Sequence, residues 1–568
     1  MRLLRALAAF LIATLSLPPL AAASAYNARP NLIVIIVIDQ FRGDYLERYR
    51  DQWGDGGFRL LIEHGAYFPD CFFNYANTTT APGHATLLTG AYSNDHGILG
   101  NEWWDALKKK RVTSVEDDAT KLVGVPGEGA GASPHNLQSD TLGDELKLAT
   151  GGKSRVFAIS LKDRSAVLSG GFAADGAYWI EPKTGAWVTS TYYRPELPKW
   201  AADFNASKRA DKYLNRDWKD DKGNVLRSTA PEPGKPADFA HLVGSTPFAN
   251  DYELEFAREL IAYEKLGSDP ATDLLVIGLS ANDILGHEVG PDSPAMQAMA
   301  LSMDRELADF FGYLGHEIGL ANIWIALSAD HGIAPTFPVA SHLHIPAPIV
   351  SSSKVKAELN RALTERFSPG RSAELVVDFG PAVAWLNEVA FSALHVKEED
   401  AERAAGEALL QLGMRGYFTR AQLARGDVPN TETGLRFLHS YAPLPGWYVL
   451  GVLPPFAEGG ETGADHGSPY AYDRHVPLAL YGIPFQPGAY HTHSEPTDLV
   501  VTLASVLGIN PPDKAVGRVL AEALTAARRA EGSERDTRTA PLKPSGMVQP
   551  AEPNSEPLAA SAVHGDSR

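Results

Sequence analysis

Cysteine is nearly absent. The 568 residues contain one, Cys71, so no internal disulfide can form, and stability must come from the core and from any bound metal. Its neighbours Phe72 and Phe73 mark it for burial. Beyond the N-terminus no run approaches the ~20 apolar residues that a membrane span needs. Positive charge is also short, with 51 Lys and Arg against 69 Asp and Glu and a net charge of −18. That balance disfavours nucleic acid as a bound partner but allows a local positive site. No GxGxxG or P-loop arrangement occurs, so no nucleotide cradle is expected.

The ends differ from the middle. Arg2 and Arg5, an apolar run from Ala6 to Leu17 and small residues from Ala21 to Ala25 form the three parts of a secretory signal. Residues 1–25 are therefore read as a signal peptide, and the mature chain as periplasmic or secreted, with no stable membrane insertion. Residues 529–568, rich in Pro, Ser, Glu and Ala without apolar period, read as a disordered tail. The span between, 26–528, reads as one large domain.

Four apolar stretches organise that span: Leu32 to Ile38, Ser154 to Ser160, Asp273 to Leu279 and Asn322 to Leu327. Unbroken runs of this kind suit parallel strands covered on both faces. Amphipathic segments, Asp251 to Leu266 and Pro294 to Leu314, supply covering helices. The expected fold class is α/β, a three-layer sandwich with a largely parallel central sheet and helices on both faces. Two stretches, about 170–249 and 342–443, break the pattern and read as insertions at the sheet's edge that roof a site. Trp447 to Val452 and Pro477 to Gly482 read as further strands, and Asp498 to Leu507 as a helix.

Each of the four strands runs into chemistry. The first ends at Asp39, the second at Lys162 and Arg164, the third at Asp283 and His287, and the fourth at Asp330 and His331. Ligands in open α/β sheets sit beyond the carboxyl ends of strands, so these residues should share one pocket. With His466 they make three carboxylates and three imidazoles, a donor set that suits Zn²⁺. Asp283, His287 and His466 would take one ion, and Asp39, Asp330 and His331 another, both with open positions. Two such ions roughly 4 Å apart can serve both ends of an in-line displacement.

The nucleophile candidate is Thr80, in Thr80-Ala81-Pro82-Gly83-His84. Pro82 in a first turn predicts a helix starting here, and free N–H groups at a helix start attract a phosphoryl group. Alone, Thr-x-Pro reads as an ordinary helix cap; beside the donor set it reads as a nucleophile that coordination would keep as the alkoxide. Two Zn²⁺ against three carboxylates and that alkoxide leave the metal site formally neutral. Lys162 and Arg164 then add two positive charges, the match for a phosphate monoester dianion, and Asn101 could add a neutral donor. His84 and His96 read as braces of this turn, and the pairs His342/His344 and His491/His493 as loop or packing residues.

Val37-Ile38-Asp39-Gln40, Thr80 through His84, His96-Gly97-Ile98 with Asn101, Leu161-Lys162-Asp163-Arg164, Asp283 through His287, Ser328-Ala329-Asp330-His331-Gly332 and His466-Gly467-Ser468 together resemble the alkaline phosphatase superfamily. The resemblance is to the bacterial phosphate-irrepressible, single-threonine enzymes of the PafA type and extends to about Leu524. It implies two Zn²⁺ per chain, held by Asp39, Thr80, Asp283, His287, Asp330, His331 and His466. It also implies a phosphothreonine on Thr80, phosphoryl contacts from Asn101, Lys162 and Arg164, and small-molecule phosphate monoesters as substrates. Phosphodiesterases and nucleotide pyrophosphatases share the Thr and the ligands, without this Lys-x-Arg pair being expected. They remain an alternative, as does a periplasmic phosphate- or metal-binding protein without turnover. Sulfatases open a Cys/Ser-x-Pro-x-Arg motif, which is missing here. Oligomeric state is left open.

Overall fold

The computed structural model describes residues 29–525 other than 128 and 381; the expected signal peptide at 1–25 and tail at 529–568 lie outside the described residues. The central strands are β1 (Leu32–Ile38), β2 (Ala66–Phe72), β3 (Val156–Ser160), β4 (Gly176–Ile180), β5 (Asp273–Leu279), β6 (Ile323–Ser328) and β7 (His475–Tyr481). They belong to an 11-stranded sheet whose middle runs β6-β1-β5-β3-β4, all parallel. Outside β6 the chain adds β7 and then β2, both antiparallel to their inner neighbours. Every residue of β1, from Leu32 to Ile38, is fully buried, which is what an uninterrupted apolar run requires.

Register sets the functional edge. Ile38 pairs with Leu279, Val37 with Ser328 and Gly278 with Ser160. The four strands thus end level with one another, and the residues after them emerge side by side.

The main helices are α1 (Thr80–Thr89), α2 (Asp163–Gly170), α3 (Pro247–Glu264), α4 (Ala281–Val289), α5 (Pro294–Glu317) and α6 (Asp498–Leu507). Alternation along β4 shows the two faces. Ala177 and Trp179 pack in one apolar cluster with Ala81 and Ala85 of α1 and Ala166 and Leu168 of α2. Tyr178 and Ile180 belong to another with Leu254 and Phe256 of α3. Helices therefore cover both faces, as the strand period demands.

The stretch 170–249 is more integral than an edge insertion. It supplies β4 to the parallel core and the strand Trp187–Ser190 beside it. Its aromatic richness serves packing: Trp187 stacks on Phe256 with centroids 3.9 Å apart. The second interruption carries a separate four-stranded antiparallel sheet, Val376–Phe379, Val383–Leu386, Tyr448–Val452 and Gly416–Thr419. Helices Ser352–Phe367 and Glu398–Gln411 close it around a core that includes Leu359, Leu375, Phe391, Leu409 and Val449. Tyr448–Val452, expected as a strand after this insertion, lies inside its sheet, so the inserted unit continues past residue 443 to Val452.

Candidate active site

The level strand ends bring the expected residues together. Asp39 follows β1, Lys162 and Arg164 follow β3, Asp283 and His287 lie on α4 after β5, and Asp330 and His331 follow β6. His466 arrives from the Gly-rich loop ahead of β7. Asp39, Asp330 and His331 form one group whose ligand atoms lie within 4.8 Å of one another. His331 Nε2 is 3.5 Å from Asp39 Oδ1 and 3.7 Å from Asp330 Oδ2. The other group is equally tight: Asp283 Oδ1 is 3.2 Å from His287 Nε2 and 3.8 Å from His466 Nε2, and the two imidazole nitrogens are 3.2 Å apart.

The three imidazoles share one arrangement. Nδ1 of His287 is 2.8 Å from the Ala464 carbonyl, that of His331 is 2.9 Å from the Gly332 carbonyl, and that of His466 is 2.8 Å from the Thr78 carbonyl. Each ring must donate through Nδ1, which leaves the Nε2 lone pair facing the carboxylates, the orientation metal-ligating histidines show. Asp39 Oδ1, Asp330 Oδ2 and His331 Nε2 are buried and have no hydrogen-bond partner among the described residues. Three such acceptors facing one another are costly unless a cation joins them. The donor set therefore fits a metal centre.

Electrostatics agree. Burial, and then Asp39 beside it, hold the Asp330 carboxyl well above the usual range. Burial lowers His331 to about 4 and His466 to about 3, so both rings are neutral at neutral pH and could offer Nε2 to a cation. Burial opposes charge on His287 too, but Asp283 overrides it and lifts the ring to about 9, so without a cation its Nε2 holds a proton against Asp283, one that a bound metal would displace.

Thr80 opens α1 and is buried, and its neighbours are pinned to the site from three sides. The Thr78 carbonyl accepts from His466 Nδ1, and the Ala81 N–H donates to Asn101 Oδ1 at 2.8 Å. Gly83 lies so close to Asp330 that a Cβ there would sit 2.3 Å from the Asp330 carbonyl oxygen. With Oδ1 of Asn101 committed to Ala81, its amide NH₂ is the group free to meet an anion. Arg164 lines the same cleft of about 390 Å³, with Asn101, His287 and His466. Its Nε has no partner among the described residues. Lys162 sits deeper: Nζ lies 2.6 Å from Asp39 Oδ2 and 2.5 Å from Asp283 Oδ2. Burial works against its charge, but Asp283 and Asp39 hold it charged. Expected as a phosphoryl contact, Lys162 here bridges the two ligand groups.

Residues 33–408 match the type I phosphodiesterase / nucleotide pyrophosphatase family. The chain belongs to this family. It is 32% identical over 545 residues to alkaline phosphatase PhoV of Synechococcus elongatus, covering 88% of this chain and 93% of that protein. It is also 32% identical over 524 residues to a protein named calcium-transporting ATPase from Myroides odoratus, covering 87% and 95%. The crystal structure of wild-type alkaline phosphatase PafA superposes with a TM-score of 0.80 at 29% identity, over 88% of this chain and 99% of that one. Among the described residues no helix is long and apolar enough to cross a membrane.

In this member of the family two supporting residues, Gln40 and Asp465, lie outside those that the sequence singles out. Gln40 takes a left-handed backbone, φ 64°, which turns its N–H to Asp330 Oδ1 (3.0 Å) and its side chain to Asp283 Oδ1 (2.6 Å). It thus ties one ligand from each group. The signal was its place directly after Asp39, where the strand must turn away from the site. Asp465 lies beside His287 and His466, close enough to share a cation with them. His84, expected as a brace, bonds Ser169 through Nδ1 at 3.0 Å and holds Nε2 3.7 Å from Asp330, with burial lowering it to about 4. His96 bonds Thr86 at 3.2 Å. His342 and His344 lie exposed at and beyond the end of a short helix, away from these ligands.

Proposed function

We propose that this protein is an exported, two-zinc alkaline phosphatase that hydrolyses a broad range of phosphate monoesters through a phosphothreonine on Thr80. The observation that carries it is the set of three histidines, each with Nδ1 on a backbone carbonyl and Nε2 turned toward the carboxylates beside the start of α1. Asp39, Thr80, Asp330 and His331 would hold one ion, and Asp283, His287 and His466 the other. When bound, the ions supply positive charge that lowers the pKa of a hydroxyl and stabilises a departing oxygen.

The chain's own residues do the rest. Thr80 Oγ forms its bond to phosphorus as the bond to the ester oxygen breaks, at a helix start whose N–H groups favour the phosphoryl charge. Arg164 and Asn101 stabilise the equatorial oxygens, and Lys162 joins them once the ions share Asp39 and Asp283, the two carboxylates it bridges. A water then cleaves the phosphothreonine and releases phosphate. Lys162 and Arg164 together balance a dianion, which favours monoesters over diesters. The family match over 33–408 favours a second reading, phosphodiester or pyrophosphate hydrolysis.

The test is kcat/KM on an aryl phosphate and its matched diester, with metal analysis of the same sample and Thr80→Ala beside it. Phosphate release from the monoester at alkaline pH, loss of activity with chelator, and loss in Thr80→Ala with metal retained are expected. Preference for the diester would establish the second reading, and wild-type turnover by metal-loaded Thr80→Ala would end the covalent mechanism. Ligand binding without product would point to a binding protein. Export is checked by fractionating cells that express the full chain; retention in the cytoplasm would overturn it.

A further inference from the structure

Buried backbone N–H and C=O groups need partners, and those of the loop ahead of Thr80 find several outside the α/β core. The Ala76 N–H donates to Ser440 Oγ at 2.7 Å and the Asn77 N–H to the same oxygen at 3.3 Å. That hydroxyl spends its own proton on the Arg436 carbonyl, 2.8 Å away, which leaves its lone pairs for the loop. His439 Nδ1 lies 2.7 Å from the Asn74 carbonyl, and its ring stacks on Tyr92 with centroids 4.2 Å apart and planes at 11°.

Both residues close the helix Glu432–Ser440, which belongs to the inserted unit. Phe437 of that helix stacks on Phe418 of the inserted sheet at 4.7 Å. Ala76 and Leu99 of the catalytic side share an apolar cluster with Trp385, Phe437, Tyr448 and Leu450 of the insert. The loop and the inserted sheet are therefore packed as one body. The space left between them holds about 40 Å³, room for a water or two. The hydrogen bonds and stacking make this contact a brace for the loop.

We propose that His439 and Ser440 are positioning residues, through which the inserted unit fixes the approach of Thr80 to phosphorus. The proposal rests on the reading of Thr80 as nucleophile. From Asn77 the chain has two residues to go, and the far end is held where Thr78 meets His466. With the near end released, Thr80 keeps its helix but loses its aim, and a misplacement of about 1 Å costs on the order of 100-fold in rate. Because Asn77 also donates to Ser93 and Leu99, part of the aim survives either change alone.

The experiment uses the full chain, loaded with metal and assayed for metal content. Phosphate trapped on Thr80 in single-turnover mixing with an aryl phosphate is followed in wild type, Ser440→Ala and His439→Phe; the latter keeps the stacked ring and removes the donor. Each variant should phosphorylate about tenfold more slowly, with KM within about twofold and metal content unchanged, because one of two restraints on the aim is lost. His439→Asn, which restores a donor, should recover most of the rate. A merely structural defect would instead lower metal content and trapped phosphate in proportion; rates are therefore taken per metal-loaded site. If Ser440→Ala does not fold, His439→Phe decides. Wild-type phosphorylation rates in the folded variants would overturn the proposal. Absence of trapped phosphate on Thr80 in the wild type would instead overturn the nucleophile reading, and the proposal with it.

Discussion

Gly83→Ala is the sharpest test of how Thr80, the proposed nucleophile, is held. Gly83 lies in the first turn of α1, three residues after Thr80, and a Cβ there would meet the Asp330 carbonyl oxygen at 2.3 Å and Asp330 Cβ at 2.6 Å. Both are rigid neighbours, and ordinary carbon contacts need about 3.5 Å or more, so the surfaces must separate by roughly 1 Å. Asp330 is tethered by the Gln40 N–H at 3.0 Å and by its place at the end of a central strand, so the helix start gives way and carries Thr80 with it. Overpacking of this kind costs about 1–3 kcal/mol of stability, which a domain of this size survives. The same displacement at a reacting atom costs on the order of 100-fold in kcat. Steady-state kinetics on an aryl phosphate, thermal unfolding and metal analysis separate the outcomes. Lost kcat with metal retained means that the helix moved; lost metal means that Asp330 moved instead. Wild-type kcat with full metal would show that the helix start does not bear on Asp330, and the reasoning would fail.

Lys162→Ala should lower kcat/KM on a monoester by about 10–100-fold, the worth of one charge-assisted contact of ~1.5–3 kcal/mol, and on the matched diester by less. Equal losses on both would remove Lys162 from the account of charge matching. Gln40→Ala releases Asp283 and should weaken metal binding by about 10–100-fold, read by competition with a chromophoric chelator. Unchanged affinity would confine Gln40 to a role in folding. Glu402 is fully buried in the inserted unit, and burial raises its carboxyl from 4.5 to about 7. The folded chain keeps a proton that the unfolded chain releases, so the stability linked to it is full below pH 4.5 and is lost as pH rises through 7. The loss is about 3 kcal/mol. Glu402→Gln should flatten that slope in denaturant melts at pH 5 and 8, and an unchanged slope would refute the assignment.

The parallel core was legible because its residues obey one rule at a time. Leu32 to Ile38 is apolar at every position, which only a strand buried on both faces tolerates, and Asp39 ends the run where solvent or ligand begins. Asp273 to Leu279 repeats this after its opening Asp, so the four strands that lead into the site could be placed side by side without knowing their order. Tyr448–Val452 carries the same apolar pattern, yet it lies in the inserted sheet, because period reports burial and not which sheet does the burying. Gln40 was silent for a different reason. Its role depends on a positive φ, and for a non-glycine residue that conformation is imposed by the strand's sharp exit rather than announced by composition. Lys162 was recognised by charge, but its position between Asp39 and Asp283 is a three-body result that no spacing encodes.

These gaps have a common source in how the site is divided. Apart from Thr80 and His466, the proposed metal ligands come from strand ends and the first turns after them, where register alone sets their separation, so a linear pattern of apolar run and acid suffices to find them. The aim proposed for Thr80 depends on a loop whose N–H groups are held by Ser440, more than 350 residues later, and contacts of that span leave no trace in local sequence. Metal affinity and nucleophile alignment should therefore respond to different residues. Substitutions at Asp39, Gln40 and Asp283 should alter metal content first, whereas those at His439 and Ser440 should alter turnover at constant metal. A variant in the inserted helix that emptied the metal site while leaving the melting curve intact would contradict that separation, since among the described residues the hydrogen bonds of His439 and Ser440 reach the loop before Thr80 and not a proposed ligand.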